Sequence, residues 1–118
     1  MKKEIIQELY NCFEAAAVEV EDIECWSARE LQLLLGYSKW ENFSKVIDKA
    51  KTACGIAGYL VSDHFPDVRK MVHLGSGSER EIDDILLTRY ACYLIAQNGD
   101  PRKEQIAFAQ TYFAIQTR

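Results

Sequence analysis

The residues best able to do chemistry are basic and amide side chains at helical spacing. Lys39 stands at the start of a predicted helix, and Asn42, Lys45, Lys49 and Thr52 follow along one band of it. Asn can read an adenine edge; Lys can read guanine or hold a phosphate. The helix N-terminus itself favours an anion. Glu41 and Asp48 flank the band, and the competing reading is a solvated polar face. A second basic group, Arg69, Lys70 and Arg80, falls on two short β-prone runs around Gly75-Ser76-Gly77-Ser78. A two-stranded ribbon can enter a groove of DNA, but Glu79, Glu81, Asp83 and Asp84 stand ready to pair those bases.

Catalytic chemistry finds little support. His64 and His73 are nine residues apart, outside metal-ligand spacing. Gly75-Ser76-Gly77 lacks the GxSxG form of a nucleophile elbow, and the chain has no GxxxxGK[ST] phosphate loop. Asp83 and Asp84 are neighbours on a predicted strand, so their side chains point to opposite faces. Cys12, Cys25, Cys54 and Cys92 form no CxxC pair and read as small buried hydrophobes in a reducing compartment. No enzyme activity, metal or cofactor is expected.

The elements that must position the basic residues follow from periodicity. Ile5, Ile6, Leu9, Phe13, Ala16, Ala17 and Val20 predict an amphipathic helix over 3–20. Ser27 and Glu30 have capping-box spacing, Gly36 supplies a left-handed stop, and Ser38 and Glu41 form a second capping box. The next helix is expected over 39–54, buried through Trp40, Phe43, Val46, Ile47, Ala50 and Cys54. Two capped helices joined by Gly36-Tyr37-Ser38 make a helix-turn-helix candidate. Residues 55–66 read as a loop, 68–74 and 80–86 as a hairpin, and Thr88 as the cap of a central helix over 89–97. Asp100-Pro101 predicts the start of a last helix running to Arg118. Ile106, Ala109 and Phe113 form one apolar stripe on it. Phe108, Tyr112 and Ile115 form a second, available for a protein partner or a homodimer.

Together these elements predict an α+β fold, mainly helical, with one small antiparallel hairpin or sheet. The 118 residues suit one domain. No run approaches the ~20 apolar residues of a membrane span, and the N-terminus lacks the form of a signal peptide; a cytoplasmic location without membrane contact is expected. The formal charge is -4, against a generic nucleic-acid binder. It is uneven: residues 1–30 hold eight acids and three bases, while the remainder is near neutral. Local clusters decide phosphate contact more than the total does.

Several runs resemble a known family. Trp26-Ser27-Ala28-Arg29-Glu30-Leu31, Leu35-Gly36-Tyr37, Trp40 and Phe43 are similar to the N-terminal, BRO-N-like domain of the DNA damage-inducible D proteins and phage antirepressors. So are Asp63-His64-Phe65, the stretch Asp67 to Met71, Gly75-Ser76-Gly77, the stretch Leu87 to Lys103, and Ala109-Gln110 with Tyr112-Phe113-Ala114. The resemblance implies a chain that is the N-terminal piece of a protein about twice as long. It implies a DNA-binding module, with expression in the DNA damage (SOS) response for some members and control of repressors for others. Arg69 and Lys70 match the family's basic pair, and Arg89 its Leu-x-Arg-Tyr motif. The expected partners are therefore DNA, duplex or single-stranded, or a repressor or repair recombinase.

Overall fold

The computed structural model describes residues 1–115. In chain order they form α1 (Lys3–Ala16), β1 (Val18–Val20), β2 (Ile23–Ser27), α2 (Ala28–Leu34), α3 (Trp40–Ile56) and α4 (Val61–His64). There follow β3 (Asp67–His73), β4 (Glu79–Thr88), α5 (Arg89–Gln97) and α6 (Glu104–Ala114). The strands make one antiparallel sheet in the order β1-β2-β4-β3. This is the expected α+β class, with a four-stranded sheet.

The buried cluster draws on every helix except the one-turn α4. Phe13, Trp26, Leu31, Leu35, Phe43, Ile47, Phe65, Leu87, Ile95, Ile106, Tyr112 and Phe113 are its large members. Trp26 lies under α1, and its indole N–H donates to the Phe13 carbonyl at 2.9 Å. The Phe13 ring meets Phe108, Tyr112 and Phe113 at centroid distances of 5.2–5.6 Å. The fully buried Phe13 thereby fixes α1 to α6.

Several element ends differ from expectation. The first helix stops at Ala16 because Val18 and Val20, β-branched, pair with Cys25 and Ile23 instead. Glu21 and Asp22 make that hairpin turn with φ of 51° and 66°. Cys12 is exposed rather than buried, since α1 turns only Phe13 fully inward. The 55–66 stretch contains α4. The second capping box does not form: Lys39 occupies the N-cap of α3 without a side-chain cap bond. The last helix begins at Glu104, not Pro101, because the Asp100 carboxylate accepts the Arg102 N–H at 3.0 Å and holds a turn there. That helix ends at Ala114; residues 116–118 of the predicted extension lie outside the described residues.

Other caps match the reading. The Ser27 hydroxyl accepts the Glu30 N–H and the Thr88 hydroxyl accepts the Ala91 N–H. Gly36, at φ +82°, ends α2, with Gly36 N–H to Leu33 O and Tyr37 N–H to Gln32 O. This pair of bonds is the Schellman pattern.

Candidate nucleic-acid interface

The α2–α3 pair is held from three sides. The connection is Leu35 to Lys39, five residues rather than three. Gln32, a buried side chain inside α2, donates to the Tyr37 carbonyl at 3.0 Å and so pins the turn. Asp84 of β4, also buried, accepts from the Ser27 hydroxyl at 2.5 Å, the Arg29 N–H at 3.1 Å and the Ile85 N–H at 2.8 Å. Arg29 donates to the Asp83 carbonyl at 3.0 Å, and its guanidinium lies 3.8 Å from the centre of the Trp40 ring. A cation over indole and a carboxylate at a helix N-terminus both stabilise the joint between sheet, α2 and α3. Sequence spacing assigns neither Gln32 nor Asp84 a positioning role; the signals present are a polar residue at core spacing in α2 for Gln32 and an acid on the inward side of a strand for Asp84.

On α3 the apolar face is buried through Phe43, Ile47, Ala50 and Cys54. Lys39, Asn42, Lys45, Lys49 and Thr52 are all exposed. Ten residues of helix place Lys39 and Lys49 about 15 Å apart along the axis. Among the described residues no carboxylate oxygen lies within 4.0 Å of Lys39, Lys45 or Lys49. Thr52 turns back on its own helix and donates to the Asp48 carbonyl at 3.1 Å.

The hairpin bases are arranged differently. Arg69 and Lys70 are consecutive on β3, so they face opposite sides of the ribbon. Arg69 sits across from Asp83 and pairs with it at 3.5 Å; Lys70 pairs with Glu30 of α2 at 3.8 Å. Arg80, opposite Val72, is on the Lys70 side and exposed. The Arg69 side also carries Asp67, Glu79, Glu81 and Asp83. That face is acidic, and its ion pairs are exposed ones of small energetic weight. The structure thus gathers Asn42, Lys45 and Lys49 on one face of α3, with Lys39 at its N-cap, and divides Arg69 from Lys70 and Arg80.

Arg89 belongs to neither group. It pairs with Glu24 at 3.1 Å and donates to the carbonyls of Tyr112 at 2.9 Å and Ile115 at 3.2 Å. Its guanidinium lies 5.0 Å from the Tyr112 ring centre and 5.3 Å from that of Trp26. A cation at the last carbonyls of α6 opposes the negative end of the helix dipole. Its work is to tie α6 to the sheet.

The second stripe of α6 is split. Tyr112 is buried in its own domain, where its hydroxyl donates to Glu14 of α1. Burial first, then that bond to Glu14, pushes the phenol well above its ordinary range. Phe108 is half-buried and Ile115 is exposed. Between α1 and α6 remains an open groove of about 410 Å³, walled by Ile6, Tyr10, Phe108, Thr111 and Ile115.

Among the described residues no three His, Cys, Asp or Glu side chains gather as a metal site. No described helix is long and apolar enough to cross a membrane.

DNA damage-inducible protein D of Escherichia coli (strain K12) is 50% identical over 105 residues, which is 89% of this chain. The chain spans 38% of the length of that relative. No solved structure matches. The sequence profile of the BRO family, N-terminal domain, matches residues 15–114, which includes the whole sheet, α2 to α6 and only the last two residues of α1. The chain belongs to the BRO family, through its N-terminal domain.

Proposed function

We propose that this chain is the non-enzymatic DNA-contacting module of a bacterial or phage regulatory protein of the DNA damage response. The observation that carries the reading is the exposed face of α3. Among the described residues, Asn42, Lys45 and Lys49 lie there, and Lys39 at the N-cap, without carboxylate partners, on the second helix of a pair braced against the sheet. Free ammonium groups in a row suit a phosphate backbone, and Asn42 between them suits a base edge. The hairpin is the weaker arm, since Arg69 and Lys70 are paired and on opposite faces, leaving Arg80 as its open base. The E. coli relative is named for its induction by DNA damage, which agrees with a role in that response.

The test is affinity for duplex and single-stranded DNA as a function of salt. Each phosphate contact contributes about 0.9 to the slope of log K against log salt. The Lys45→Ala/Lys49→Ala variant is expected to lower that slope by about 2 and to weaken all sequences alike. A flat salt response of the wild-type chain would end this reading.

A second reading, a protein-interaction domain acting on a repressor or recombinase, is favoured by a different observation. The groove between α1 and α6 is apolar and open, and Ile6, Tyr10 and Ile115 beside it are 42–51% exposed. Exposed apolar surface of this kind suits a protein partner, including a second copy.

A further inference from the structure

The turn between α2 and α3 is closed by a segment from far along the chain. A Cβ placed on Gly36 would stand 3.0 Å from the Gln105 amide nitrogen, so the first turn of α6 is seated directly against the turn. Beside it, Lys103 lies at the N-cap of α6 and holds its ammonium 5.4 Å from the centre of the Tyr37 ring. Tyr37 is two residues before Lys39. The nearby acid is already occupied: Asp100 accepts from the Arg102 guanidinium at 2.9–3.1 Å through both oxygens. Among the described residues no carboxylate oxygen lies within 4.0 Å of Lys103, and Lys103 is exposed.

We propose that Lys103 is a further DNA-backbone contact, continuing the α3 stripe across the Tyr37 turn onto α6. The inference rests on the DNA reading of α3 given above. Its chemistry is charge complementarity with a phosphodiester oxygen. The Tyr37 ring holds the ammonium in place by a cation–π contact, so less side-chain freedom is lost on binding. The Lys103 ammonium then stands over the ring of Tyr37, two residues before Lys39, with Lys45 and Lys49 further along α3. The alternative is that Lys103 packs on Tyr37 for stability alone.

The experiment compares DNA affinity and thermal stability of the whole chain with Lys103→Ala, Lys103→Arg, Lys45→Ala/Lys49→Ala and, as a charge control on α1, Lys3→Ala. Loss of one phosphate contact at 0.15 M salt is expected to weaken binding about five-fold and to reduce the salt slope by about one. Lys103→Ala is expected to show that loss with an unchanged melting temperature. Lys103→Arg is expected to retain wild-type affinity, and Lys3→Ala to change little. If Lys103→Ala behaves like Lys3→Ala while Lys45→Ala/Lys49→Ala weakens binding, the Lys103 assignment is wrong and the α3 reading stands. Loss of melting temperature without loss of affinity would assign Lys103 to packing on Tyr37. If no variant alters binding, the α3 reading falls and Lys103 falls with it.

Discussion

The carboxylate of Asp84 on β4 accepts the backbone N–H of Arg29 at 3.1 Å, so a buried acid of the sheet caps the first helix of the α2–α3 pair. Ser27 shares the duty, donating its hydroxyl to Asp84 while accepting from Glu30. Replacing Asp84 by Ala leaves three donors without that acceptor, and urea unfolding is expected to show a loss of roughly 3 kcal/mol. Ser27→Ala is expected to cost about 1 kcal/mol. Because the groups share hydrogen bonds, the double variant should lose less than the sum. Strict additivity would refute the shared cap.

Gly36 offers a separate check on how the turn is built. Ala there must adopt φ +82° and must move Gln105. The backbone term is expected to cost about 1–2 kcal/mol. Adding Gln105→Ala should recover only the smaller, steric part, since the amide is the far end of a flexible side chain. Full recovery in the double variant would show that the left-handed conformation is not the main cause.

Between the two basic groups, α3 should dominate DNA affinity. Arg69→Ala/Lys70→Ala removes two bases that already have carboxylate partners on opposite faces. Its effect on DNA affinity is expected to be well below that of Lys45→Ala/Lys49→Ala, and Asn42→Ala is expected to relax base preference by about 1–3 kcal/mol. Equal losses from the two double variants, measured by fluorescence anisotropy at fixed salt, would return the hairpin to the interface.

Tyr112 should make the fold sensitive to alkali. Burial, then the bond to Glu14, raises its phenol above the ordinary value near 10. The proton is held more tightly in the folded state, so the contribution is complete below about pH 10 and is lost as pH rises through the raised folded value. Tyr112→Phe is expected to lose about 1–2 kcal/mol at neutral pH and to show a shallower decline in stability above pH 10. An alkaline decline as steep as the wild type's would place the titrating group elsewhere.

For the second reading the decisive residues are Ile6, Phe108 and Ile115, since Tyr112 is already covered by α1. If the groove takes a second copy, sedimentation of the wild type should rise with concentration and that of Ile6→Glu/Ile115→Glu should not. Identical, concentration-independent sedimentation of both chains would remove self-association through this groove.

Local signals decided a good part of this protein. The buried face of α3, the Ser27 and Thr88 caps, the left-handed Gly36 and the β3–β4 hairpin could be read from spacing because each depends on residues within a turn or two. The family could be read from short runs of side chains such as Leu87 to Lys103. The opposite facing of Arg69 and Lys70 was also implicit, in the two-residue period of a strand. What spacing could not decide is which carboxylate reaches which base. Lys70 meets Glu30 and Arg89 meets Glu24 across 40 and 65 residues of chain. Nor could it decide that α1 would stop four residues early for Val18 and Val20 to join β2, or that α1 would cover Tyr112. The burial of Asp84 and Gln32 and the seating of Gln105 on the Gly36 turn likewise depend on contacts between distant segments. Side-chain partnership is set by distance in space. Only packing the sheet against α2, α5 and α6 brings those groups within hydrogen-bond reach.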